Sequence, residues 1–466
     1  MAPEVSVGTG ASGARAAIHR IIDAFRVALT AMGARIAPIE IERLGVLVHE
    51  AISGRARLFH TSDHVFELAS GVGVDATEML AILYHDVVYL QIDGMLPPRI
   101  AVLLGSCSDG PIEQEPRGFR ARVPMRPDPL FRTVLRVFGI APGASVSTSG
   151  GLNELLSATV AAHQLAPFVP EQVVVAVVAC IEATIPFRGA DAEGVGPYDR
   201  LAGRLQQLDG VSHDEELIRA MVRRAVRVAN RDTGNFASIA VTEFLDNTWK
   251  LLPETNPALR GATSYSISEY RAALCKTDAF LGSLDAARIF HRWGGEPDDL
   301  TYLTLLERSG KNLRLAARYL GVKLYAVAVL EALAMCTGGD SPIELFRGAV
   351  FDLGGTGGGA TGATTDIDPV LLSLFADGRT SDLAFDLRQS PIAAFVYRRL
   401  GETRAQLASE TARRLADRFP TREAWADEFL KSQPGSLVAA VARALAEVVG
   451  TRAAALRALA LELDRI

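Results

Sequence analysis

The chain has 466 residues, 49% of them hydrophobic and 22% charged, with a net charge of -6. That balance excludes an intrinsically disordered chain, and the lack of a basic excess argues against nucleic acid as a partner. The length exceeds what one hydrophobic core usually serves, so two structural units are expected.

Residues 1–14 combine no basic start with an apolar run; they read as a disordered tail rather than a secretory signal. Apolar residues then recur at three-and-four spacing through 16–33, 39–52, 77–90, 130–139, 216–232 and 312–334. This period predicts helices, and alternating strand patterns are scarce, so the expected class is all-α. The longest apolar stretch, at 173–181, falls short of the ~20 residues of a membrane helix. Four cysteines without a CxxC pair suit a reducing compartment. The expectation is a cytoplasmic protein with no membrane contact.

Three of the eight histidines fall between residues 60 and 85. In "RLFHTSDHVFELA" (57–69), Thr61 or Ser62 suits a helix N-cap, which puts His60 at the helix mouth and His64 in the first turn. In "EMLAILYHDVVYL" (78–90), helical spacing sets Ile82, His85, Asp86 and Tyr89 on one face. Residues 94–128, rich in Pro, Gly and Arg, predict an irregular excursion beside this helix that covers a pocket. A second His-Asp pair, His213-Asp214, lies in an S-x-x-E frame and reads as a helix cap. In "MVRRAVRVANRD" (221–232), Asp232 continues the apolar stripe of Met221, Ala225 and Val228. A carboxylate on a core-facing stripe is costly unless paired or metal-bound. "GGTGGGATGATTD" (354–366) lacks the Lys-Ser/Thr ending of a phosphate loop and reads as a linker. It divides 15–353 from a helical region at 367–466, whose amphipathic helices pack on the first domain, form a homodimer or bind a partner helix.

Imidazole and carboxylate together suit a divalent transition metal. Two His and two Asp meeting from three helices would make a hydrolytic site, where the metal activates water and polarises a phosphoryl oxygen.

"FHTSDHVFEL" resembles the YHNxxHxxxV element of HD-superfamily metal phosphohydrolases, and "YHDVVY" is similar to the HD element of a bacterial branch related to class I cyclic-nucleotide phosphodiesterases. "NELLSA" (153–158) resembles that branch's NExxSA stretch, "IEAT" (181–184) its I-x-x-T, and "NRDTGNFA" (230–237) its closing aspartate segment. The elements keep the family order across about residues 15–255. The resemblance implies an HD-type helical domain within 15–353, followed by a further helical domain. It implies His64, His85, Asp86 and Asp232 as ligands of a divalent ion (Mn, Fe, Ni, Co, Mg or Zn), and His60 as the acid for the leaving oxygen. Glu154 takes the place of an acidic residue near the metal, and Asn235 helps shape the pocket. The resemblance departs at Tyr89, where the phosphodiesterases carry a further histidine; this counts against a second metal and against cyclic-nucleotide specificity. It departs again after Thr184, where Arg188 is the residue available to face a phosphate. The expected activity is metal-dependent hydrolysis of a small phosphate ester. The alternative is a non-catalytic HD module that binds metal or nucleotide and signals through its C-terminal helices.

Overall fold

The computed structural model describes residues 16–465 except 106, 117, 210–213, 261–263, 349–366, 384 and 417–420. The expected tail at 1–14, the glycine-rich stretch at 354–366 and His213 therefore lie outside the described residues. Helix accounts for 67% of the described residues and strand for 4%, so the fold is all-α. Two compact units form, one from Met1–Ala237 with Asp285–Arg308, the other from Ser238–Leu284 with Ser309–Ile466. The division thus falls elsewhere than at the glycine-rich stretch. Glycine content reports weak local preference, whereas a unit is defined by which helices share a core.

The first unit runs through α1 (Ala17–Ala31), α2 (Pro38–Ile52), α3 (Ser62–Ala69), α4 (Ala76–Tyr84), α5 (Leu90–Asp93) and α6 (Pro98–Leu103). It continues with α7 (Pro129–Phe138), α8 (Leu152–Leu165), α9 (Glu171–Ala183), α10 (Pro197–Gln206) and α11 (Glu215–Asp232). Residues 174–183 of α9 are all buried, and α9 packs on α4, α7, α8 and α11. A helix apolar on every side is what a central position demands. Asp75 caps α4 in a reciprocal box with Glu78. The same two carboxylates pair with Arg224 and Arg227 of α11. Glu78 is fully buried, and burial raises its pKa against the lowering pull of Arg227. Helices α4 and α11 are thereby fixed to one another near the start of α4.

Two sequence expectations change here. The excursion at 94–128 is partly regular: β1 (Glu113–Glu115) and β2 (Gly118–Arg122) form an antiparallel sheet with β3 (Ser145–Ser147), in the order β1-β2-β3. The helix expected to run through Tyr89 stops at Tyr84, with His85 as its C-cap. Side chains take over the backbone groups that a helix would have paired. The Val88 amide donates to Ser157 Oγ (3.0 Å), the Leu90 amide to Asn153 Oδ1 (3.1 Å), and Arg57 Nη1 donates to the Asp86 carbonyl (2.7 Å). Buried backbone groups must be satisfied somewhere, and here α8 and Arg57 offer better partners than another helical turn. The N-cap of α11 is Asp214, accepting from the Glu216 amide.

The second unit holds α12 (Val241–Thr255), α13 (Ile267–Gly282) and most of α14 (Asp299–Gly338), followed by helices at Pro369–Ala376, Pro391–Ala416, Arg422–Lys431, Gly435–Val448 and Ala453–Leu463. Every residue of α14 from Tyr319 to Met335 is buried. By length and composition α14 is long and apolar enough to cross a membrane, and 89% of its most apolar window is buried inside the protein. The apolar run at 173–181 was therefore not the strongest such candidate; Lys323 and Glu331 interrupt the α14 run and hide it. Both charges are paired inside the unit, Lys323 with Asp386 and Glu331 with Arg271.

Candidate metal centre

Three helix ends in the first unit supply the four expected ligands. His64 is the third residue of α3, His85 the cap of α4 with Asp86 next to it, and Asp232 the last residue of α11. One donor atom from each lies within 4.8 Å of all the others. His85 Nε2 is 3.0 Å from Asp86 Oδ2 and 3.4 Å from Asp232 Oδ1; His64 Nε2 is 3.2 Å from Asp232 Oδ1 and 4.0 Å from Asp86 Oδ2. Donors ~2.1 Å from one cation would stand roughly 3.0–4.2 Å apart, whether tetrahedral or octahedral. The spacing fits.

The tautomer fits as well. His85 Nδ1 donates to the Ile82 carbonyl (2.8 Å), which leaves a lone pair on Nε2 in the neutral ring. His85 Nε2 and Asp86 Oδ2 are both buried without a hydrogen-bond partner among the described residues, although they face each other at 3.0 Å. Two lone pairs at that distance repel unless a proton or a cation stands between them. Burial would lower the His85 pKa, but the Asp86 and Asp232 carboxylates outweigh it and hold the imidazole well above its usual range. Burial would likewise raise both carboxylates, and the imidazoles overcome it and hold them low. The site draws positive charge strongly, and the cluster can hold a metal ion.

The remaining candidates are placed unevenly around it. The His60 ring meets Tyr89 edge-on at 4.5 Å and lies 5.9 Å from the His64 ring. Glu154 is in the first turn of α8, its Oε2 buried and unpartnered among the described residues. Burial, with help from Asp86 and Asp232 and against Arg188, pushes its pKa up to about 7. Asn235 lines a cavity of about 110 Å³ together with His64 and Asp232. Arg188 is turned to a buried acid instead: Nη1 donates to Glu182 Oε1 (2.6 Å), and Nη2 to Oε2 (3.2 Å) and to the carbonyl (3.0 Å). Arg204 donates to the same carboxylate (2.7 Å).

Sequence reading passed over the residues that hold the His-Asp turn in place. Arg57 is wholly buried, donating from Nε and Nη2 to Asp93 Oδ1 (3.0 Å) and Oδ2 (2.6 Å) besides the Asp86 carbonyl. Within "NELLSA", Asn153 and Ser157 bind the backbone that follows the ligands. Side-chain bonds to a distant backbone leave no periodic trace; only a buried Arg three residues before His60 was there to be noticed.

Further from the cluster, His291 is neutral by construction. Burial, with the Arg188 charge adding to it, lowers its pKa to about 4 from 6.5. As pH falls below 6.5 the unfolded chain takes up a proton that the folded protein refuses until about 4, so stability is present above 6.5 and is lost across that interval. At pH 5 the loss is about 1–2 kcal/mol, allowing for partial exposure. Urea unfolding at pH 7 and pH 5 is expected to show a smaller acid loss for His291→Phe than for wild type; equal losses would contradict this.

Comparison of the chain with protein-family models, with curated proteins and with solved structures found no match.

Proposed function

We propose that this protein is a metal-dependent phosphohydrolase acting on a small phosphate ester, of the HD type that its ordered motifs resemble. The observation that carries the reading is the convergence of two imidazoles and two carboxylates, brought together from residues 64 to 232, on one buried point. His64, His85, Asp86 and Asp232 would hold a divalent ion, which would supply Lewis acidity toward a phosphoryl oxygen and acidify bound water. The chain's own groups divide the proton work. Glu154, buried with one free oxygen and a raised pKa, orients the attacking water and takes up its proton. His60, beside His64 and backed by Tyr89, donates a proton to the departing alkoxide. The cytoplasmic location expected from the cysteines and the choice among Mn, Fe, Ni, Co, Mg and Zn belong to the same proposal.

Elemental analysis of the purified protein is expected to find about one divalent-metal equivalent per chain, and His85→Ala is expected to lose it. On a phosphoester panel the loaded wild type should turn over, and Glu154→Gln should fall by roughly 10²–10⁴-fold with its metal retained. No metal in the wild type, or no difference in metal content between wild type and His85→Ala, would end the proposal. Metal without turnover on any phosphoester would favour the non-catalytic binding module.

A further inference from the structure

The cavity of about 110 Å³ beside the cluster is lined by His64 and Asp232 but continues past them to Phe59, Glu67, Arg231 and Asn235. Pockets for whole drug-sized molecules run ~300–1,000 Å³, so this one has room for a single compact group of a ligand. It adjoins two of the four cluster residues, and a group placed in it would sit next to whatever they hold.

The two carboxylates on its wall, Glu67 and Asp232, repel an anion; Arg231 is the cation that opposes them. Unlike Arg188, whose guanidinium is committed to Glu182, Arg231 has no carboxylate at ion-pair distance among the described residues. Its Nη2 donates to the Val72 carbonyl (2.6 Å), which anchors the head and leaves further N–H groups unspent. The guanidinium lies over Gly71, where a Cβ would overlap it, so that glycine makes the room the head occupies. A partly buried arginine with unspent N–H groups and no contacting carboxylate among the described residues gains most from a planar or tetrahedral oxyanion.

We propose that Arg231 is the anion-binding residue of the site: the phosphoryl group of the substrate occupies the cavity between the His64–Asp232 edge of the cluster and the Arg231 guanidinium, with Asn235 beside it. This rests on the metal-dependent reading above and assigns the phosphate contact to the residue next to Asp232.

Full-length protein loaded with Co²⁺, whose visible absorption reports occupancy, is titrated with inorganic phosphate. Wild type is expected to bind phosphate, and Arg231→Met to raise its Kd at least tenfold with Co²⁺ stoichiometry unchanged. Arg231→Lys, which keeps the charge and loses the fork, should fall between them. Equal phosphate affinity in wild type and Arg231→Met with Co²⁺ bound in both overturns the assignment, as does Co²⁺-loaded wild type that binds no phosphate. A wild type that takes up no Co²⁺ has a different signature: it removes the metal reading, and the assignment with it. If Arg231→Met does not fold, Arg231→Lys decides, a Kd raised threefold or more supporting the role and an unchanged Kd overturning it.

Discussion

Arg57→Ala is expected to lower folding stability by about 3–5 kcal/mol and, in the protein that remains folded, to weaken divalent-metal binding by roughly 10–100-fold. The Arg57 side chain is wholly buried and Asp93 nearly so, so removing the cation leaves a buried carboxylate without compensation. The same substitution frees the Asp86 carbonyl, which Arg57 holds at 2.7 Å just where α4 gives way to a turn. His85 and Asp86 are adjacent on that turn, and a small rotation would carry both donors off the shared point. Arg57→Lys keeps the charge but cannot reach Asp93 twice and the carbonyl once, so it should recover part of the stability and little of the affinity. Urea unfolding and a chelator competition separate the two effects. A stability loss under 1 kcal/mol together with unchanged metal affinity would show that the turn holds itself.

The second large effect is expected in the other unit. Asp386 Oδ2 accepts from Trp249 Nε1 (2.7 Å), Tyr270 Oη (2.8 Å), Lys323 Nζ (2.9 Å) and Arg379 Nη1 (3.3 Å). Lys323 and Arg379 are almost entirely buried, and each stands over the Trp249 ring. Burial would raise the Asp386 pKa, but the two cations prevail and hold it below 3.8. Asp386→Asn keeps an acceptor and removes the charge, leaving Lys323 without a counter-ion and Arg379 with only Asp246 at 3.5 Å among the described residues. The expected cost is about 3–5 kcal/mol. Adding Lys323→Met should return part of it, with a coupling of at least about 1 kcal/mol in the double-mutant cycle. Strict additivity of the two substitutions would mean that the carboxylate and the ammonium do not depend on each other. The linkage has a definite direction: the contribution of Asp386 is complete above pH 3.8 and disappears as pH falls through its lower folded value.

The class of fold was legible from the sequence, and so were the four residues that the fold gathers into one cluster. Helical periodicity needs only the burial of one stripe, a local property that survives without knowledge of neighbours. The donors were legible because charged groups on apolar stripes are expensive: Asp232 continuing Met221, Ala225 and Val228 announced a partner before any partner was visible.

Where those patterns stop depends on contacts between distant residues. The apolar face through Tyr89 looked like one helix because side-chain spacing cannot report that Arg57, Asn153 and Ser157 will outbid the next turn for its backbone groups. Glycine content at 354–366 suggested a boundary, but the units part at 237, 284 and 308, because a domain is set by which apolar faces meet. The surroundings of two arginines were set the same way. Arg188 and Arg231 are alike as letters, and the first lies against a buried Glu182 while the second lines the cavity beside His64. Charge is written in the chain, and whether it is already spent depends on what the fold places against it.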